Sequence, residues 1–317
     1  MITVAVAGGT SPGLGRSILE ALINQPERVT PIVLSRETSK TPKWLSDLAI
    51  EVRRVNYQSP ESLDDALNGV HTVISTLLAI DGTWASTQLS LLSACIRAGV
   101  SRFAPAEFGL GPLSAHHIAL VSPQVEVMNA CREAKLQNPA TFEYAGFHPG
   151  LFMNYLGYGA PDQEEALHGF EDNWEDSWFH VNTMKAEIPL TKEGEVPRIT
   201  MTELRDVGRF VAAACLLPDG FWQEDFSMVG ETLRMDEIVK VIEKVKGGKV
   251  EVMYRKYDEL AALTKREENP WRKFWYELEG AIARDTKGEA FVDPILNGLF
   301  PDIKPVSIEE YLTKYWT

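Results

Sequence analysis

The chain has 317 residues, with 31 Lys+Arg against 45 Asp+Glu for a formal net charge of −14, and 44% of it is hydrophobic. That is the composition of a soluble globular protein; it excludes a disordered or fibrous chain, and the acidic balance leaves no basic surplus to neutralise a nucleic-acid backbone or an anionic membrane. No apolar run approaches the roughly 18–20 residues that cross a bilayer, and the N-terminus has neither the basic segment nor the cleavage site of a signal peptide. Cys95, Cys131 and Cys215 lie far apart and form no Cys-x-x-Cys pair, so the expected setting is reducing and cytoplasmic.

Residues 2–7 are an apolar run that stops at Gly8-Gly9, which predicts a strand. Residues 13–24 follow with helical spacing through Leu14, Ile18, Leu19 and Leu22. Further strands are predicted over 31–35, 50–55, 73–75, 102–104 and 142–147. Helices are predicted from Ser59-Pro60, where Ser can cap and Pro fits the first helical position, and over 87–98 and 124–134. Strands alternating with helices imply a parallel sheet covered on both faces, and right-handed crossovers make it a doubly wound α/β (Rossmann) fold.

Beyond about residue 153 the alternation fails. Residues 162–178 are acidic and aromatic without a clean period. A strand over 198–202, a helix over 206–217, a helix over 235–245, a strand over 250–254 and a helix over 270–284 are predicted. Ser307 and Glu310 form a capping box that opens the last helix. The expected division is a Rossmann domain over residues 1–153 and a smaller α+β substrate lobe over 154–317, with 198–230 returning to the first.

The strongest motif is Gly8-Gly9-Thr10-Ser11-Pro12-Gly13-Leu14-Gly15, between the first strand and the first helix. Glycines at 9, 13 and 15 have a dinucleotide-binding spacing: they permit a tight turn and let backbone N–H groups approach a pyrophosphate at the helix start. Residues 9–13 also match Gly-x-Ser-x-Gly, the nucleophile elbow of α/β hydrolases. That elbow needs an N–H from the residue after the serine, and here it is Pro12. Gly15-Arg16-Ser17 lacks the lysine of a nucleotide-triphosphate loop. The second strand ends at Ser35-Arg36 rather than at an acid, which suits the 2′-phosphate of NADP(H) over NAD(H), although a solvated strand-end arginine is the plainer alternative and Glu37 does not help a phosphate.

These stretches, with Ile74-Ser75-Thr76-Leu77, Arg102-Phe103-Ala104-Pro105-Ala106-Glu107-Phe108-Gly109 and Phe147-His148-Pro149-Gly150, resemble the NmrA-like and isoflavone-reductase-like family of atypical short-chain dehydrogenases. Met201-Thr202, Arg205-Asp206-Val207-Gly208 and the last helix extend the resemblance over essentially the whole chain. The resemblance implies a nicotinamide cofactor with Asn56 and Tyr57 near the adenine, Thr76 and Leu77 along strand four, Pro105, Ala106 and Glu107 on the nicotinamide side, and Phe147 closing over it. It also exposes a departure. Reductases of the family carry a lysine at the start of the helix after Glu-Phe-Gly, and the matching position is Gln124. A glutamine amide can hydrogen-bond but cannot act as a general acid near pH 7. Nor does any Tyr-x-x-x-Lys pair occur; Lys135 lies near the helix end and reads as a solvated lysine.

Among replacements, His148 follows strand six, where the carboxyl ends of the strands face a ligand, and a histidine can titrate near neutrality. His116, His117 and Tyr155 are weaker candidates. His116-His117 are adjacent, so their side chains diverge, and no metal site is expected. Trp174, Trp178 and Phe179 suit an aromatic lid or a core equally. The favoured expectation is an NADPH-dependent reductase of a small, aromatic or conjugated metabolite, serving secondary metabolism. The alternatives are an NADP(H) sensor that regulates a protein partner without turnover, and a repurposed isomerase or lyase.

Overall fold

The computed structural model describes residues 1–79, 81–170 and 177–317. They form two compact units: Met1–Phe108, Pro123–Phe147 and Val207–Phe226 make the first, and Gly109–Ser122, His148–Asp206 and Ser227–Thr317 the second. The helix from residue 204 therefore contributes mainly to the first unit, and the segment 109–122 to the second.

The first unit is built on six strands: β1 (Ile2–Ala7), β2 (Val29–Arg36), β3 (Glu51–Val55), β4 (Thr72–Ser75), β5 (Arg102–Ala104) and β6 (Glu143–Tyr144). Their order is β3-β2-β1-β4-β5-β6, and every pairing is parallel. This is the doubly wound order, with its switch point between β1 and β4. Helices α1 (Leu14–Ile23), α2 (Lys43–Asp47), α3 (Pro60–Leu67), α4 (Trp84–Ala98) and α5 (Pro123–Gln137) connect the strands. Ala5, Ala7, Ile32, Leu34, Val73 and Phe103 share one core with Leu63, Leu91, Cys95 and Val127 of α3, α4 and α5. The alternate residues Val4, Val6, Val33 and Ile74 are equally buried, so both faces of the sheet are covered. Pro31 sits within β2, tolerated because β3 pairs only from Ile32 onward.

Two expectations are corrected here. The strand over 142–147 is two strands: Glu143–Tyr144 pairs with β5, and after Ala145 the short β7 (Gly146–His148) leaves for a two-stranded pairing with residues 225–227. The helix expected from residue 87 starts a turn earlier, at Trp84, whose indole is buried.

The second unit carries small mixed sheets. Lys185–Pro189 pairs in parallel with Glu251–Arg255 and antiparallel with Phe179–His180. Arg198–Thr202 lies between Leu151–Phe152 and Glu231–Arg234. Helices Met235–Lys246, Pro270–Ala283 and Ile308–Trp316 cover them around a core that includes Met153, Ile188, Met201, Ile238, Trp275 and Leu312. The last helix is fastened by polar contacts as well as packing: Tyr311 Oη donates to Ala166 O at 2.7 Å and Trp316 Nε1 to Leu156 O at 2.9 Å. No helix among the described residues is long and apolar enough to cross a membrane.

Candidate functional site

At the carboxyl ends of β1 to β4 the first unit opens a cleft of about 660 Å3. Gly8, Thr10 and Ser11 of the 8–15 turn line it, while Gly9, Pro12, Gly13, Leu14 and Gly15 shape the turn from outside the lining. Gly8 has φ +80°, a left-handed conformation that favours glycine. Gly9 N donates to Val6 O at 3.2 Å and Ser11 N to Gly8 O at 2.9 Å, folding the chain back over the end of β1. A Cβ at Gly9 would stand 3.0 Å from Val6 O, and one at Gly15 would stand 3.0 Å from both Gly8 O and Gly9 Cα. Pro12, Gly13 and Leu14 complete the turn into α1, whose first turn carries no acidic residue and no side-chain cap. Its backbone N–H groups thus keep their partial positive charge without a built-in anion.

Of the residues singled out in the sequence, Thr10, Ser11, Ser35, Arg36, Asn56, Tyr57, Thr76 and Leu77 line this cleft. Tyr57 Oη donates to Leu34 O at 3.2 Å, and burial pushes its phenol well up against the opposing pull of Arg36. Thr76 is tied to the end of β1 through two donations to Ala7 O, from its N at 2.8 Å and its Oγ1 at 3.1 Å. Glu37, noted beside Arg36 in the sequence, lines it too, and the sequence reading missed the other neighbours that complete the wall: Thr38 and Ser39 after β2, Gln58 after β3, and Leu78, Ala79, Asp81 and Thr83 between β4 and α4. Most directly follow strand ends already identified, which was the available signal. Leu78 is 65% exposed, an apolar side chain left open at the cleft. Asp81 accepts from Thr83 N and Oγ1, bonds that hold its carboxyl below the usual range.

The remaining residues fall elsewhere. Pro105, Ala106, Glu107 and Gln124 come together in a crevice with Trp84, Gln88 and Val127, too tight to admit water. Gln124 Nε2 donates to Ala106 O at 2.8 Å, so the amide at the family's lysine position holds the turn after β5. Lys135 is turned to Pro139 O at the helix end. Phe147 sits in an aromatic cluster, parallel to Phe108 at 5.8 Å and edge-on to Trp222. His148 belongs to the second unit, is 1% exposed and lines neither cleft; its carbonyl accepts from Met228 N. His117 Nε2 lies 3.2 Å from Glu289 Oε1. Trp178 and Phe179 are core residues of the second unit, and Trp174 lies outside the described residues.

A profile of the NmrA-like family matches residues 2–312. The chain belongs to the NmrA-like family. A family relative called Oxidoreductase BOA1, from Botryotinia fuckeliana, is 31% identical over 78% of this chain and 77% of its own length. Isoflavone reductase homolog P3 of Arabidopsis thaliana is 23% identical over 98% and 97%. Among solved structures, AtPrR2 with NADP+ and (+)pinoresinol superposes with a TM-score of 0.74 at 21% identity, covering 99% of this chain and 98% of that one. The NmrA-like fold thus extends over both units.

Proposed function

We propose that this NmrA-like protein is an NADPH-dependent oxidoreductase of a small aromatic or conjugated metabolite, with the strand-end cleft as its dinucleotide site. The observation that carries the reading is the 8–15 turn: two glycines at which a Cβ would crowd backbone atoms, at the start of an uncapped helix, in a turn whose Gly8, Thr10 and Ser11 line an open cleft. That cradle fits a pyrophosphate, whose oxygens take up N–H groups that side chains leave open. The names of the relatives, oxidoreductases and an isoflavone reductase homologue, support the chemistry.

In this reading Thr10 and the first turn of α1 hold the pyrophosphate through backbone N–H groups, with the Ser11 hydroxyl beside them. Asn56 and Tyr57 flank the adenosine, and Arg36 with Ser35 takes the 2′-phosphate. Thr76 and Leu77 lead toward the nicotinamide, with residues 105–107 and Phe147 beyond them. When bound, the cofactor supplies the hydride. Gln124 positions the Ala106 carbonyl and donates no proton. His148 directly follows Phe147 in β7, and its imidazole is the group to test for proton transfer.

Two measurements test this. With NADPH deuterated at C4 and a metabolite extract from the native source, a product carrying one deuterium is expected. Bound NADPH with no deuterium in any product contradicts the reductase and favours a non-catalytic NADP(H) sensor, a reading supported by a Gln124 amide already committed to Ala106 O. Once a substrate is in hand, His148→Asn should lower turnover by about 10²- to 10⁴-fold and flatten the pH profile. Unchanged turnover removes His148 from the reaction.

A further inference from the structure

Ser35, Arg36 and Ser39 line the cleft, and one residue outside its lining bonds to all three. Arg54 lies on β3 in register with Ser35 on β2. Its Nη1 donates to Ser35 Oγ at 3.1 Å, Arg36 O at 3.3 Å and Ser39 O at 2.6 Å. Its Nη2 donates to Thr41 Oγ1 at 2.6 Å. The same loop is closed by Ser39 N donating to Arg36 O at 3.0 Å and tied back to β3 by Glu37 N donating to Val55 O at 3.3 Å.

The chemistry of these bonds has a direction. A phosphate monoester only accepts hydrogen bonds at neutral pH, and carbonyl oxygens repel it. The guanidinium only donates. It therefore draws two carbonyl oxygens and one hydroxyl lone pair of cleft-lining residues onto itself. Ser35 Oγ, accepting from Arg54, keeps its own proton to give. The planar fork also reaches both ends of the 35–41 segment at once, which an ammonium point charge cannot do.

We propose that Arg54 is a positioning residue that sets the preference for a 2′-phosphorylated dinucleotide: it turns the acceptors of the loop after β2 away from the cleft and presents Arg36 and the Ser35 hydroxyl to the phosphate. This rests on the reading of the cleft as a dinucleotide site. It acts through Ser35, Arg36 and Ser39, without contact to the ligand.

The test is the pair of dissociation constants for NADPH and NADH, read by cofactor fluorescence on the wild type, Arg54→Met, Arg54→Lys and Thr41→Val. Arg54→Met should weaken NADPH by about 10- to 100-fold, the scale of a lost charge-assisted bond, and NADH by less than about threefold. Arg54→Lys keeps the charge without the fork and should still lose at least about fivefold in the ratio of NADPH affinity to NADH affinity. Equal weakening of both cofactors marks a merely structural arginine and overturns the proposal. So does wild-type selectivity in Arg54→Lys. Should the Arg54 variants fail to fold, Thr41→Val removes one hydroxyl acceptor outside the cleft lining; a lowered ratio of NADPH affinity to NADH affinity supports the clamp and an unmoved one overturns it. A wild type that binds neither cofactor defeats the dinucleotide reading itself, whereas binding with an unmoved ratio defeats only the role of Arg54.

Discussion

The cleft rim and the buried ion pairs handle polar groups in opposite ways. The rim keeps its polar chemistry open: a glycine turn, strand-end hydroxyls and Arg36 face the cleft at the ends of the parallel strands. Both units take ionisable groups inside: in the first, Arg102 is 1% exposed and pairs with Glu143 at 2.9 Å. In the second, Arg255 is shared between Glu187 and Glu279, and Glu279 is 1% exposed. A rim site built from backbone and small residues is constrained by sterics and leaves a sequence signature. Buried ion pairs depend on partners from distant segments and leave none.

The contrast should show first in the pH dependence of stability, where the largest effect is expected. Burial pushes Glu279 up to about 7, against the pull of Arg255. Its folded-state pKa therefore lies above the ordinary 4.5. The stability it contributes is fully present below about pH 4.5 and is lost as pH rises through 7, a span worth about 3 kcal/mol. Gln mimics the protonated carboxyl and does not titrate, so denaturant titrations of the wild type and Glu279→Gln should lie closest at pH 5, and at pH 8 the wild type should fall below the variant by about 3 kcal/mol. Identical pH slopes would break the comparison.

The rim offers the next effect. Gly15→Ala places a Cβ 3.0 Å from Gly8 O and Gly9 Cα, neighbours that move only if the turn moves. Overpacking of this kind costs about 1–3 kcal/mol, and here it should appear as a loss of about 10- to 100-fold in NADPH affinity. Wild-type affinity would show that the turn is not under steric control. Smallest is Gln124→Ala, which deletes one donation to Ala106 O and should cost about 1 kcal/mol of stability by thermal melting, with NADPH affinity little changed. A loss of several kcal/mol would give that turn the same weight as the glycine turn.

Legibility followed the same division. The parallel sheet, α1 and the 8–15 turn were readable because period, glycine spacing and strand–turn–helix context agree locally. The break after Tyr144 was not: residues 142–147 read as one strand with only Glu143 charged, and the change of partner from β5 to residues 225–227 depends on a segment some eighty residues away. Trp84 was missed because polar Ser86 and Thr87 mask the first turn of α4. Arg54 carried no signal at all, since its role comes from a cross-strand register. In the second unit the pairing of Lys185–Pro189 with Glu251–Arg255 joins segments with no shared local pattern, so Glu279 could not be placed beside Arg255 from sequence.

Backbone hydrogen exchange with and without NADPH tests the central claim most directly, because it reads the backbone N–H groups on which the site is built. The account predicts that NADPH slows exchange in the 8–15 turn, the first turn of α1 and the 35–39 loop, with the second unit's Arg198–Thr202 strand unchanged. Binding that leaves the 8–15 turn exchanging at its free rate would contradict it.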